Sequence, residues 1–539
     1  MNKLKFCIMS FAVIATISFV AFSVQASDLR EQEAIDNFYL ERDGRPLWVK
    51  GKRLSKGGKK LYSTIQKSWE NGLNPDRYFI SDIDRIMEEG RYLNKDRALQ
   101  VELLLTSGYI RYVQDLSGMR VNASSLGLRE NDWLQRISIS EAISLLPDDL
   151  KNIDAFLHSR EPQSSTYQRL KVEMKRLVDS NSGNNERLNV PVVFSRVLYP
   201  GRGDKNIPAL RARLGVYEEN LNDLYTYDTA LVNAVKEFQA SKGLKEDGII
   251  GKQTLFALNH GKSDKIRQII VNMERLRWIP DEKPERFIVV NIPSARLWAI
   301  DNGSVEFTMP VVVGRKKRAT PPFISKIHGV RFNPTWTVPP TIKKEDILPS
   351  LQENPSYLAD KGMELFDGYG RDATTLDPSS IDWNTISENE LNNLNMVQIP
   401  GEHNPLGRIR VLMPNEYDIY LHDTNNKSLF SRSDRTKSSG CIRMRDPDKV
   451  ATFALKNRNG WSNDKMKDVL KTGKIKDVYT SDKVSVYILY YTVWLDENGN
   501  VMYGQDIYGR DDDLFAMLKK LDAIPIIVDN DNIVSAAAD

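Results

Sequence analysis

The chain has 539 residues, of which 41% are hydrophobic, and a formal net charge of +3. That length suits three or four domains, and that apolar content excludes wholesale disorder. The near balance of 75 basic and 72 acidic residues excludes the strong positive field that a nucleic-acid binder carries.

Lys3 and Lys5 open the chain, and residues 6–24 form an uncharged, largely apolar run. Val24-Gln25-Ala26 offers small residues at signal-peptidase spacing, so 1–26 is expected to be an export signal cleaved before Ser27; an uncleaved inner-membrane anchor is the alternative. Either outcome leaves the rest outside the cytoplasm. The two cysteines are Cys7, inside that signal, and Cys441. One mature cysteine forms no internal disulfide, and an exported thiol is either buried or used.

Residues 27–190 read as a polar helical domain in which Ala98, Val101, Leu104, Leu105 and Tyr109 recur near helical spacing. A Ser-, Asn- and Gly-rich linker follows at 179–187. In 191–262, Leu210 and Leu214 mark a first helix. Leu231, Ala234, Val235 and Phe238 mark a second that ends at Gly243, and Thr254, Leu255 and Leu258 mark a third. "AVKEFQASKGL", "DGIIGKQT" and "ALN" resemble the small three-helix peptidoglycan-binding domain; a helical spacer without a ligand is the alternative reading.

The segment 263–283 is expected to be an amphipathic connecting helix, apolar at Ile266, Ile269, Ile270, Met273 and Leu276. The period then changes. Residues 287–292, 297–300 and 305–313 read as strands, with a hairpin turn at Asp301-Asn302-Gly303. A second hairpin joins 484–495 to 501–507 through Asn498-Gly499. Between them, the polar stretch 343–395 has little strand character and is expected to be a cap inserted in a β-rich domain running from 284 to 515, with 516–539 as a tail. The whole is a multidomain α+β chain.

The chemistry gathers between 419 and 444. A short strand ends in His422, and nineteen positions on stands Cys441, within Ser438-Ser439-Gly440-Cys441-Ile442-Arg443. A thiol reacts as the thiolate, and an imidazole beside it can take the proton. Gly440 permits a tight turn that would aim the N–H groups of Gly440 and Cys441 at an oxyanion. Arg443 shares the face of Cys441 in an extended strand and could pair a substrate carboxylate.

"YLHDT", "SSGCIRM", "FNPTWTVPPTI" and "LGRIRVLMPN" resemble the L,D-transpeptidases with a YkuD-type catalytic domain, and the order of modules is similar to the large periplasmic YcbB-type subgroup. The resemblance implies Cys441 as nucleophile, His422 as base, Gly440 with Cys441 as the oxyanion site and Arg443 in support. Ser439 stands where many members have His. The implied reaction is the formation of 3-3 cross-links between tetrapeptide stems through a thioester, in cell-wall biogenesis. The implied location is the periplasm. Carbapenems are the implied inhibitors, and other wall-synthesis enzymes are implied transient contacts.

Other readings stay open. Water in place of an acceptor amine makes a carboxypeptidase, a cysteine endopeptidase would cut stems, and the helical modules alone would make a wall-binding scaffold. Trp336 and Tyr420 line the cleft or belong to the core. Asp423 is not read as a third triad member. His403 is read as a loop residue at the rim, and His158, His260 and His328 lack a catalytic setting. The basic run 315–318 is read as a solvated loop, with anionic wall groups as the alternative. No metal or cofactor is expected, because H-E-x-x-H and paired C-x-x-C motifs are missing.

Overall fold

The computed structural model describes residues 26–90, 92–180, 192–217, 224–370, 372–525, 527–529 and 532–534. The expected signal and most of the expected linker lie outside the described residues. Two compact units form, one from Met1–Asp281 with Tyr491–Asp539 and one from Glu282–Tyr490.

In the first unit, the helix Lys95–Ser117 begins where the Asn94 side chain accepts the N–H of Arg97. Val101, Leu105, Tyr109 and Tyr112 on it pack against Trp48, Leu61 and Ile65. The three helices of 191–262 are Ile207–Leu214, Thr229–Ser241 and Lys252–Asn259. Leu210, Leu231, Val235 and Leu258 form their core. The helix Lys262–Arg277 differs from its expected two-faced pattern, since Gln268, Asn272, Glu274, Arg275 and Arg277 are buried along with its apolar residues. The returning segment accounts for part of this: Asn272 donates to Thr492 at 2.7 Å and Arg275 pairs with Asp511.

The second expected hairpin is corrected. Val493–Leu495 pairs with Val501–Tyr503 as a short ribbon in the first unit, whereas Lys476–Leu489 is a long strand of the second. Residues 490–492 break the run that the sequence pattern joined.

The second unit is built on nine strands: β1 (Arg286–Asn291), β2 (Arg296–Asp301), β3 (Ser304–Gly314), β4 (Phe323–Phe332), β5 (Ile409–Leu412), β6 (Leu421–His422), β7 (Thr436–Ser438), β8 (Ile442–Met444) and β9 (Lys476–Leu489). Their order is β7-β3-β8-β6-β5-β4-β9-β1-β2, and β2 also pairs with β3, so the sheet closes on itself. Asn302 and Gly303, both at positive φ, make the tight β2–β3 turn. Val290, Leu297, Val311, Val330, Val411 and Val486 are buried inside the sheet's unit.

The cap is not the loosely built polar segment its composition suggests. Trp336–Thr337, Leu394–Gln398, Met363–Asp367 and Thr374–Leu376 form their own antiparallel sheet, in that order. Leu351, Leu358, Leu365, Trp383, Leu391 and Met396 make a separate apolar core. The strands are too short, between Gly362, Gly368 and polar turns, to show a period in the sequence.

Candidate active site

β6 runs parallel to β8, with Leu421 opposite Ile442 and His422 opposite Arg443. The Ile442 N–H donates to the Tyr420 carbonyl at 3.0 Å. On its other edge, His422 faces Arg410 of β5. Alternate residues of a strand share a face, so this register brings Tyr420, His422, Cys441, Arg443 and Arg410 to one place. The half-buried Cys441 thiol donates to the Asp418 carbonyl at 3.7 Å and lies beside the Tyr420 side chain. The Tyr420 ring lies edge-on to His422, 5.7 Å between centroids, and the Arg410 guanidinium sits 4.0 Å from the Tyr420 centroid.

Electrostatics keep the pair neutral at rest. Burial, then the charge of Arg443, pushes His422 down to about 3, so its imidazole is uncharged. Burial pushes the Cys441 thiol up, although Tyr420, Arg410 and Arg443 pull the other way. His422 Nδ1 is buried with no hydrogen-bond partner of good geometry, although the backbone of Asp423 and Leu406 draws the imidazole slightly the other way. A neutral imidazole with an unpaired nitrogen is a proton acceptor in waiting.

Arg410 was missed by the sequence reading. The available signal was a guanidinium between Ile409 and Val411, in a strand whose apolar neighbours are buried. The Nε atoms of Arg410 and Arg443 are buried without an acceptor, and neither arginine is in an ion pair among the described residues, although the charge of Arg410 reaches Asp477, itself paired with Arg331. Two guanidiniums with unpartnered Nε atoms beside a thiol favour an incoming carboxylate.

The other expected site residues divide. Gly440 sits at φ +118, a conformation that favours glycine, but its N–H donates to Ser438 Oγ at 3.2 Å and so is already engaged. Ser438 Oγ donates in turn to the Cys441 carbonyl at 2.6 Å. Ser439 is exposed, and its hydroxyl accepts from Arg318 at 3.0 Å. Trp336 belongs to the cap sheet, where it pairs with Gln398 and packs on the cap core. Asp423 accepts the N–H of Arg408 at 2.9 Å, the N–H of Thr424 at 2.7 Å and Lys427 at 2.5 Å, so both its oxygens serve the loop. His403 is exposed, and its carbonyl holds Asn425 at 2.9 Å. The basic run is no simple solvated loop, because Arg318 is nearly buried and ion-paired with Glu345 and Asp346.

Residues 285–477 match the family described as "L,D-transpeptidase catalytic domain" (YkuD). Residues 33–174 match "Scaffold domain" and 212–258 match "Putative peptidoglycan binding domain". A Haemophilus influenzae protein named "Putative L,D-transpeptidase" is 35% identical over 257 residues, 48% of this chain and 50% of that one. The match thus spans about half the length of that curated relative. Among solved structures, an L,D-transpeptidase from Mycobacterium smegmatis is 13% identical, over 38% of this chain and 58% of that one, at a TM-score of 0.20. One from Xylanimonas cellulosilytica is 12% identical, over 55% and 99%, at 0.18.

Proposed function

From a chain that carries an L,D-transpeptidase catalytic domain with a scaffold domain and a peptidoglycan-binding domain, we propose that it forms 3-3 cross-links between peptidoglycan tetrapeptide stems in the periplasm, through a Cys441 thioester. His422 Nδ1 takes the thiol proton as sulfur attacks the carbonyl of the stem's third residue. The bond to the terminal D-alanine breaks, and that amine leaves with the proton from His422. The side-chain amine of a diaminopimelate on a second stem then attacks the thioester, gives its proton to His422 and releases the sulfur.

The observation that carries this reading is the unpaired charge around the thiol. Stems are rich in free carboxylates, and Arg410 with Arg443, whose Nε atoms are buried without a partner, would hold one. The same field favours thiolate over thiol while it disfavours imidazolium, so proton transfer and attack are expected to occur together.

A disaccharide-tetrapeptide incubated with the full chain tests the reading. Release of D-alanine with a dimer joined between diaminopimelates supports it. D-alanine and monomeric tripeptide alone would mean a carboxypeptidase. No D-alanine would refute both.

A further inference from the structure

One side chain ties the nucleophile's turn to the cap. Arg318 is 9% exposed at its side chain. Its Nη1 donates to Ser439 Oγ at 3.0 Å and to Asp346 Oδ2 at 2.7 Å, and its Nη2 donates to Glu345. Arg315 adds a looser pair with Asp346 at 3.5 Å. The backbone doubles the tie on the catalytic side. The Arg315 N–H donates to the Ser438 carbonyl at 2.9 Å, and Thr320 Oγ1 donates to the Gly440 carbonyl at 2.7 Å while accepting the Gly314 N–H at 2.9 Å. A Cβ on Gly314 would lie 2.2 Å from the Arg318 carbonyl, so the loop folds tightly back on the end of β3 only because glycine is there.

The cap side is equally fixed. Glu345 and Asp346 ride on Lys343–Ile347, a widened helical turn of the kind often found at functional positions. Lys343, fully buried, anchors that turn by donating to the carbonyls of Leu391 at 2.9 Å, Asn392 at 3.1 Å and Leu394 at 2.7 Å. The backbone that carries the acidic pair is therefore fixed to the body of the cap, and Arg318 joins the pair to Ser439, next to Gly440.

We propose that Arg318 is a positioning residue for acyl transfer: it sets the Ser439–Gly440 turn according to the place of the cap's Glu345–Asp346 pair. With the acids engaged, the guanidinium plane is held and Ser439 is pinned. With them withdrawn, the turn that presents the nucleophile and its amides loosens. This rests on the transpeptidase reading for the reaction, though not for the tie itself.

Glu345→Ala/Asp346→Ala in the full chain removes the cap's half at sites with 56% and 40% side-chain exposure, where folding is not at stake. Arg318→Ala removes both halves, and Arg318→Lys cannot span the three partners. Hydrogen exchange of amides 438–441 should speed up about tenfold in each, and no further when all three changes are combined. With a tetrapeptide donor, the acylation rate at saturation should fall about ten- to a hundredfold with KM nearly unchanged, the scale of a small misplacement. Unchanged exchange in the acid-pair variant, or effects that add in the triple variant, would overturn the tie. Faster exchange with normal acylation would overturn the positioning role. Faster exchange in a parent chain that never acylates would refute the transpeptidase reading and leave the tie standing.

Discussion

The helix Lys262–Arg277 in the first unit and the strands around Cys441 in the second both bury charge, with opposite provisions for it. Glu274 is fully buried between Arg120 at 2.6 Å and Arg277 at 3.0 Å. It also accepts from the Arg120 N–H at 3.0 Å and from Trp278 Nε1 at 3.1 Å. Burial pushes its carboxyl up, but the two guanidiniums prevail and hold it at about 2. Around Cys441 the Nε atoms of Arg410 and Arg443 and the Nδ1 of His422 are buried without a hydrogen-bond partner. Matched buried charge fixes a fold, while unmatched buried charge awaits a ligand. The comparison can be broken by removing groups from each region.

The largest effect should be Cys441→Ala, which on the proposed mechanism abolishes D-alanine release from a tetrapeptide donor while leaving the thermal transition of the chain in place. An alanine variant that still makes 3-3 dimers would end the proposed mechanism. Next, Glu274→Ala should destabilise the first unit by about 3–5 kcal/mol, because it strands two buried guanidiniums. Denaturant titration with a probe in that unit would read it, and a shift under about 1 kcal/mol would show that the network is not needed. Arg443→Gln is the contrasting case, since it removes a charge that has no partner to strand. Its stability should change by less than about 1 kcal/mol, while KM for the donor stem rises about tenfold. A large loss of stability with unaltered KM would reverse the assignment.

The last effect is in the pH dependence. His422 titrates at about 3 in the folded chain against an ordinary 6.5, so between those values the unfolded chain binds a proton that the folded chain does not. Stability from this group is therefore whole above about 6.5 and falls as the pH drops towards 3, by at most about 1.4 kcal/mol per unit. His422→Gln should flatten the stability curve of the second unit between pH 6 and pH 4. Parallel curves for the two proteins would mean that the imidazole is not buried neutral.

The legible parts of the molecule are those with a local cause. Strands β1 to β3 show themselves because largely apolar runs at 287–292, 297–300 and 305–313 are punctuated by a turn that Asn302-Gly303 fixes. Cys441 and His422 are legible as a pair because a glycine-led thiol and a strand-ending imidazole stand in one short segment. Arg410 and Arg318 were not, because their importance comes from partners far along the chain: His422 across a strand pair for one, Ser439 and Asp346 for the other. The cap core was hidden for a related reason. Leu351, Leu365 and Met396 are scattered among Asn, Asp and Ser, and only the folded sheet brings them together. Helix Lys262–Arg277 shows the reverse error, where polar residues that look solvated are paired inside.

The most direct test of the transpeptidase account is the mass of the full chain quenched in acid within seconds of mixing with a tetrapeptide donor, followed by peptide mapping. The account predicts an increment of one donor less its terminal D-alanine, on the peptide containing Cys441, that decays as 3-3 dimers appear when acceptor stems are added. Dimers accumulating with no such adduct, or an adduct mapped to any other residue, would contradict it.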